Sequence, residues 1–166
     1  MPTTYEPIAT TTLNSAAASI TFSSIPATYT DLRLVFVGQL NTGSANLTLR
    51  FNGDTGTNYS DTNLGGDGST TQSTRQTSTS RGYINSITSI NATSLMLQEC
   101  DIMNYAGSTY KTTISKGSAD KNGSGGTEVN VMLWRNTSAI TSVQVLPDGN
   151  SLNTGTIATL YGIKNA

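Results

Sequence analysis

Apolar residues in this chain recur at every second position, run after run, and almost nowhere at every third and fourth. Side chains alternate between two sides only in an extended strand, so a period of two commits a segment to a sheet. The runs fall at 19–23, 31–39, 46–52, 95–103, 110–116, 128–135, 140–146 and 156–163. Gly, Asn and Pro punctuate them, as at Asn41-Thr42-Gly43, Asn52-Gly53 and Pro147-Asp148-Gly149-Asn150. No amphipathic helix is evident. Short strands separated by turn residues predict an all-β, jelly-roll-type β-sandwich of about eight antiparallel strands. An immunoglobulin-like sandwich ranks second, because the Cys…Trp…Cys pattern is missing.

The faces follow from the alternation. Leu32, Leu34 and Phe36 point one way, and Arg33, Val35 and Val37 the other, so this strand is expected in the middle of a sheet. Leu47, Leu49 and Phe51 are expected inward, and the turn at 41–43 makes 32–52 a hairpin candidate. The run at 110–116 alternates through Thr112 and Ile114. In 128–135, Val129, Val131 and Leu133 share one face, with Met132 and Trp134 on the other. From Gly53 to Ser94 the pattern fails, and this stretch is expected as a long polar excursion over the surface. Tyr59, Leu64, Tyr83, Ile84, Ile87 and Ile90 are its anchors. Residues 1–15 read as an extended arm, with Pro2 and Pro7 fixing the backbone and Tyr5 and Ile8 as apolar contacts. Residues 16–166 then form a single domain, long enough to bury a core without a disulfide or a metal.

The residues of enzymatic chemistry are scarce. There is no His, one Cys, nine Lys and Arg, and ten Asp and Glu. Nucleophilic triads and zinc sites lack their usual parts, and no Gly motif opens a phosphate-binding helix. The chain is therefore expected not to be an enzyme and to need no cofactor and no metal. A formal net charge of −1 without a basic stripe excludes the usual nucleic-acid footprint. No apolar stretch approaches the roughly 20 residues of a membrane helix, so no membrane partner is expected. The first residues lack a signal-peptide pattern, which predicts synthesis in a host cytoplasm. Cys100, inside an apolar run, is expected as a packed thiol.

Four features suggest chemistry, and each has an ordinary reading. Glu99 and Asp101 lie two apart on one strand face, the arrangement of a carboxylate pair, yet solvent exposure or capping of the turn at Asn104 accounts for them. Asp61-x-Asn63-x-Gly65-Gly66-Asp67 resembles the start of a calcium loop, but Gln72 stands where the bidentate Glu belongs, which favours a polar turn. Asn-x-Ser/Thr recurs from Asn46 to Asn136, as expected by chance in a chain of this composition. Trp134 with the seven Tyr would suit a sugar-stacking platform, whereas a lone strand Trp is more often core.

YEPIATTTL, IPATYTDLRLVF, LRFNGDTGTNYS, DIMNYAGSTYKTTIS, LWRNTSAITSV and GTIATLYGIK, taken in order, resemble segments of small virion structural proteins of tailed bacteriophages, including cyanophages and other marine phages. The resemblance spans most of the chain and is weakest at 65–82. It implies a jelly-roll or related sandwich in the virion. Within that group, one domain plus an arm suits a capsid decoration, or cement, protein on the exterior of the head. Its partner would be the major capsid protein, its state a homotrimer, and its interface the arm residues Tyr5, Pro7, Ile8 and Thr10. The competing expectation is a carbohydrate-binding domain of a tail or fibre.

Overall fold

The computed structural model describes residues 5–164. Pro2, the rest of the first four residues of the expected arm, and the last two residues of the expected domain lie outside that range. Among the described residues there are fourteen strand segments and no helix, hence no helix long and apolar enough to cross a membrane. In order they are β1 Tyr5–Thr12, β2 Ile20–Phe22, β3 Asp31–Gly38, β4 Ser44–Ala45, β5 Leu47–Phe51, β6 Tyr59–Gly66, β7 Thr71–Thr79, β8 Gly82–Tyr83, β9 Ile90–Asn91, β10 Met96–Ile102, β11 Lys111–Asp120, β12 Gly125–Trp134, β13 Val143–Pro147 and β14 Ile157–Ile163.

They form an antiparallel β-sandwich. A sheet in the order β1-β14-β3-β10-β11-β12-β6-β7 faces a smaller one in the order β2-β13-β5-β8, and β4 pairs with β9 at one side. All eight runs read from the alternation are strands, and β3 is central as expected, between β14 and β10.

The expected hairpin over 32–52 does not form. β3 belongs to the large sheet, whereas β5 pairs with β13 and β8 in the small one. The turn at 41–43 is real, with Gly43 at φ 65°, but it carries the chain from one layer to the other. Both strands have an apolar inner face, and burying those faces against each other satisfies them better than edge pairing. Leu32, Leu34 and Phe36 from β3 and Leu47, Leu49 and Phe51 from β5 are all fully buried in that shared core.

The surface excursion expected at 53–94 is also corrected. Half of it, 59–79, is β6 and β7, a hairpin that extends the large sheet by two strands, and Ile84 and Ile90 are buried. Hydrophobic patterning misses β6 and β7 because their alternation is Thr, Ser, Asn and Gln. Thr still favours the pleated conformation, and the backbone ladder does the rest. An aromatic corner ties the hairpin to the small sheet. Tyr59 of β6, Trp134 of β12 and Phe51 of β5 lie with ring centroids 5.5–6.4 Å apart. Gly82 of β8 marks a close approach of the layers, since a Cβ there would sit 1.6 Å from Met132 Sδ.

Residues 5–12 do not extend away as an arm. β1 runs along β14 of its own chain from Tyr5 opposite Ile163 to Thr12 opposite Ile157, with a bulge between Pro7 and Ala9. Its polar TTT run suits the edge of a sheet, and the bulge accommodates Pro7, which has no N–H to donate.

Candidate protein interface

Across β11, β12 and β6 the large sheet buries polar side chains beside the apolar Ala119, Met132, Trp134 and Tyr59, and exposes aliphatic ones. On its inner face β11 presents Lys111, Thr113 and Ser115, β12 presents Glu128 and Asn130, and β6 presents Asp61 and Asn63, all buried. On its outer face the same strands present Ile114, Val129, Val131 and Leu64, which are 42–63% exposed. An isolated soluble sandwich usually carries polar side chains at such adjacent outward positions.

The inner polar groups have a structural task. The Glu128 carboxylate accepts from the backbone N–H groups of Ser86 at 3.1 Å, Ile87 at 2.7 Å and Thr88 at 3.1 Å. Gln98 Nε2 and Ser115 Oγ both donate to the Ile84 carbonyl at 2.9 Å. Asn85 accepts from Leu47 N at 2.6 Å and donates to the Thr88 carbonyl at 2.7 Å. A non-repetitive segment, 84–88, with Ile84, Asn85 and Thr88 buried and Ser86 and Ile87 half-buried, thus has most of its bonded backbone groups satisfied by side chains in place of a ladder. Lys111 serves another loop, donating from Nζ to the carbonyls of Gly107 at 2.7 Å and Thr109, and burial lowers its pKa.

The outer apolar residues have no such task. The registers set Ile114 beside Val131 and Leu64 beside Val129. Farther across the sheet, Leu97 pairs with Val37 and Val37 with Ile157. Leu97 and Ile157 are both 42% exposed and Val37 is half-buried. Four of the charges on this face form two pairs. Arg33 clamps Asp101 with two bonds, Nε to Oδ1 at 2.5 Å and a second nitrogen to Oδ2 at 2.7 Å, and Lys116 lies 3.9 Å from Glu99. The result is a broad sheet face with exposed aliphatic side chains, framed by Thr and Ser and by two ion pairs. Such a surface suits contact with another protein.

The carboxylate pair is resolved by these contacts. Glu99 and Asp101 do share the outer face, but each meets a basic partner across the sheet. Asp101 does not cap the turn at Asn104. That backbone N–H donates to Asp31 Oδ1 at 2.7 Å. The calcium-like segment is strand β6 for most of its length, with Asp61 and Asn63 buried and joined by a 2.7 Å bond. Asp67 lies beyond β6 in the tight turn to β7, accepting from Ser69 N at 2.9 Å and Thr70 N at 2.7 Å, which holds its carboxyl well below the usual range. Cys100 is buried, and burial pushes its thiol up to about 12. Trp134 forms no sugar platform, because it is fully buried and its indole N–H donates to Asp54 Oδ2 at 2.7 Å.

The four expected arm residues divide. Tyr5 lies over Arg33, 5.5 Å from ring centroid to guanidinium, and meets Tyr161 edge to face at 6.5 Å. Thr10 Oγ1 lies 3.0 Å from Thr159 Oγ1. Both extend the outer face to the β1 edge. Pro7 stands opposite Tyr161 at the bulge, and Ile8 packs partly against the core. The aliphatic patch on β11, β12 and β6 was not anticipated as a site, although Val129, Val131 and Leu133 had been placed on one face. Its signal was that the opposite face of the same strand holds Glu128 and Asn130.

An open concavity of about 550 Å³ lies between the β6–β7 and β11–β12 turns, bordered by Asp67, Asp120 and glycines. Asp120 accepts from Asn122 N at 2.8 Å, so both carboxylates are occupied in shaping their turns.

No family model and no curated protein matches the chain. Among solved structures, galectin LEC-6 of Caenorhabditis elegans aligns over 91% of this chain and 94% of its own, with 7% identity and a TM-score of 0.35. A protein of unknown function from Shewanella oneidensis MR-1 aligns over 98% and 71%, with 10% identity and a TM-score of 0.28. At these scores neither likeness carries a functional inference.

Proposed function

We propose that the protein is a virion structural subunit that acts by burying the outer face of its eight-stranded sheet, and specifically a capsid decoration protein on the exterior of a tailed-phage head. The observation that carries this reading is the exposed aliphatic cluster on the outer face of β11, β12 and β6, where Ile114, Val129, Val131 and Leu64 face outward. The segment resemblance supplies the setting, and the major capsid protein is the partner. Binding only to assembled shell would stabilise that shell by mass action, because the composite surface exists only there. The aliphatic part of the face contributes through area and shape, so attachment should vary little with salt.

The test is attachment of purified protein to capsids that lack it. Wild type should co-sediment with shells, and Val131→Asp should not, although it folds normally. Equal attachment by both would reject this face as the contact. The carbohydrate-binding alternative predicts binding to a glycan array by wild type and by Val131→Asp alike.

A further inference from the structure

The two edges of the large sheet are treated differently. β1 carries Pro7 and a bulge, devices that keep a strand edge from pairing further. β7 has neither along Thr71–Thr77. Its ladder with β6 is regular over those residues, and the register shift falls only beyond Thr77, beside Ser78 at φ 56°. Its free side has no strand partner among the described residues. The strand is exposed almost throughout, and in Thr71-Gln72-Ser73-Thr74-Arg75-Gln76-Thr77 one residue is charged and none is Pro or Lys. A long, regular, unguarded edge is a template for another strand.

We infer that β7 pairs antiparallel with β7 of a second copy of this chain, about a two-fold axis at Thr74. The register follows from the side chains. Opposite Asn63 and Leu64 of β6, Thr74 and Ser73 lie on opposite faces, so Gln72, Thr74 and Gln76 share the inner face and Ser73, Arg75 and Thr77 the outer. Centring the axis on Arg75 would oppose two guanidiniums directly. Centring it on Thr74 sets Arg75 of one copy against Ser73 of the other, Gln72 against Gln76 and Thr71 against Thr77. Each side chain then meets a polar one on its own face, no two charges oppose each other, and seven residues pair. Thr–Thr and amide pairs are favourable cross-strand neighbours. The large sheets of two copies become one, with their outer faces continuous. This pairing does not depend on what the outer face binds, and it gives a two-fold pair in place of the three-fold association implied by the resemblance.

Light scattering of the full chain across the micromolar range tests it, together with single-cysteine variants under mild oxidation. The expected mass is twice the 17.4 kDa of one chain. Thr74→Cys should cross-link almost completely, because residues facing each other across an antiparallel ladder fall within disulfide range. Ser73→Cys should not, because its counterpart in the other copy is two residues out of register. Native Cys100 is buried and should not react. Thr74→Lys should raise the dissociation constant by roughly tenfold through like charge at the axis. A monomer at all concentrations, a trimer, or cross-linking at position 73 in preference to 74 would overturn the pairing.

Discussion

At the scale of single residues, the buried polar layer makes two opposite demands on carboxylates. Asp61 is 3% exposed, with one oxygen bonded to Asn63 and Oδ1 without a partner. Burial pushes its pKa up to about 6, aided by the nearby Glu128 charge. The folded chain therefore holds this proton more tightly than the unfolded one. Its contribution to stability is greatest below the ordinary carboxylate value, falls as pH rises from there to about 6, and stays at its lowest above. Asp61→Asn should gain about 1–3 kcal/mol over wild type at pH 7.5 and much less at pH 4, measured by urea unfolding. Equal gains at both pH values would contradict the assignment. Glu128 is buried too, and burial likewise raises its pKa, but three backbone N–H groups depend on it. Glu128→Ala should cost about 2–4 kcal/mol in the same assay, because it orphans the 86–88 backbone inside the sandwich.

At the scale of elements, β1 and the β11–β12–β6 group behave in opposite ways. β1 is part of the fold, since Glu6 accepts from Lys164 Nζ at 3.0 Å and from the Tyr29 hydroxyl at 3.1 Å while its backbone pairs with β14. Deleting residues 1–12 should lower Tm by roughly 5–10 °C, read by calorimetry, where a free arm would leave it unchanged. Val131→Asp on the outer face should change stability by less than about 0.5 kcal/mol, because the side chain is 46% exposed and touches solvent on its free side. The strands with one apolar face, β3, β5, β10 and β14, were legible in the sequence because alternation alone specifies them. β6 and β7 were not, because their strand character resides in Thr and in a ladder that periodicity does not register. The interface was half legible. Val129 and Val131 were visible as a face, but an apolar face reads as core until the other side of the strand is shown to be buried. Segment 84–88 decides that point, and several of its side-chain-to-backbone bonds join residues more than thirty positions apart, such as Ser115 and Ile84.

At the scale of the whole molecule, two sheets of unequal size leave the outer face of the larger one uncovered. Its β11, β12 and β6 strands expose aliphatic side chains, two ion pairs lie beside them on β3, β10 and β11, and one of its edges is unguarded. A molecule of this form has more surface suited to burial than a lone sandwich needs, which is the central claim for a shell subunit. The most direct test is an electron-microscopic reconstruction of particles that carry the protein. Density for this chain is expected at regularly repeated positions on the capsid exterior, with Ile114, Val129 and Val131 turned towards the shell. Density confined to the tail, or a capsid-bound chain whose large sheet faces solvent, would contradict it.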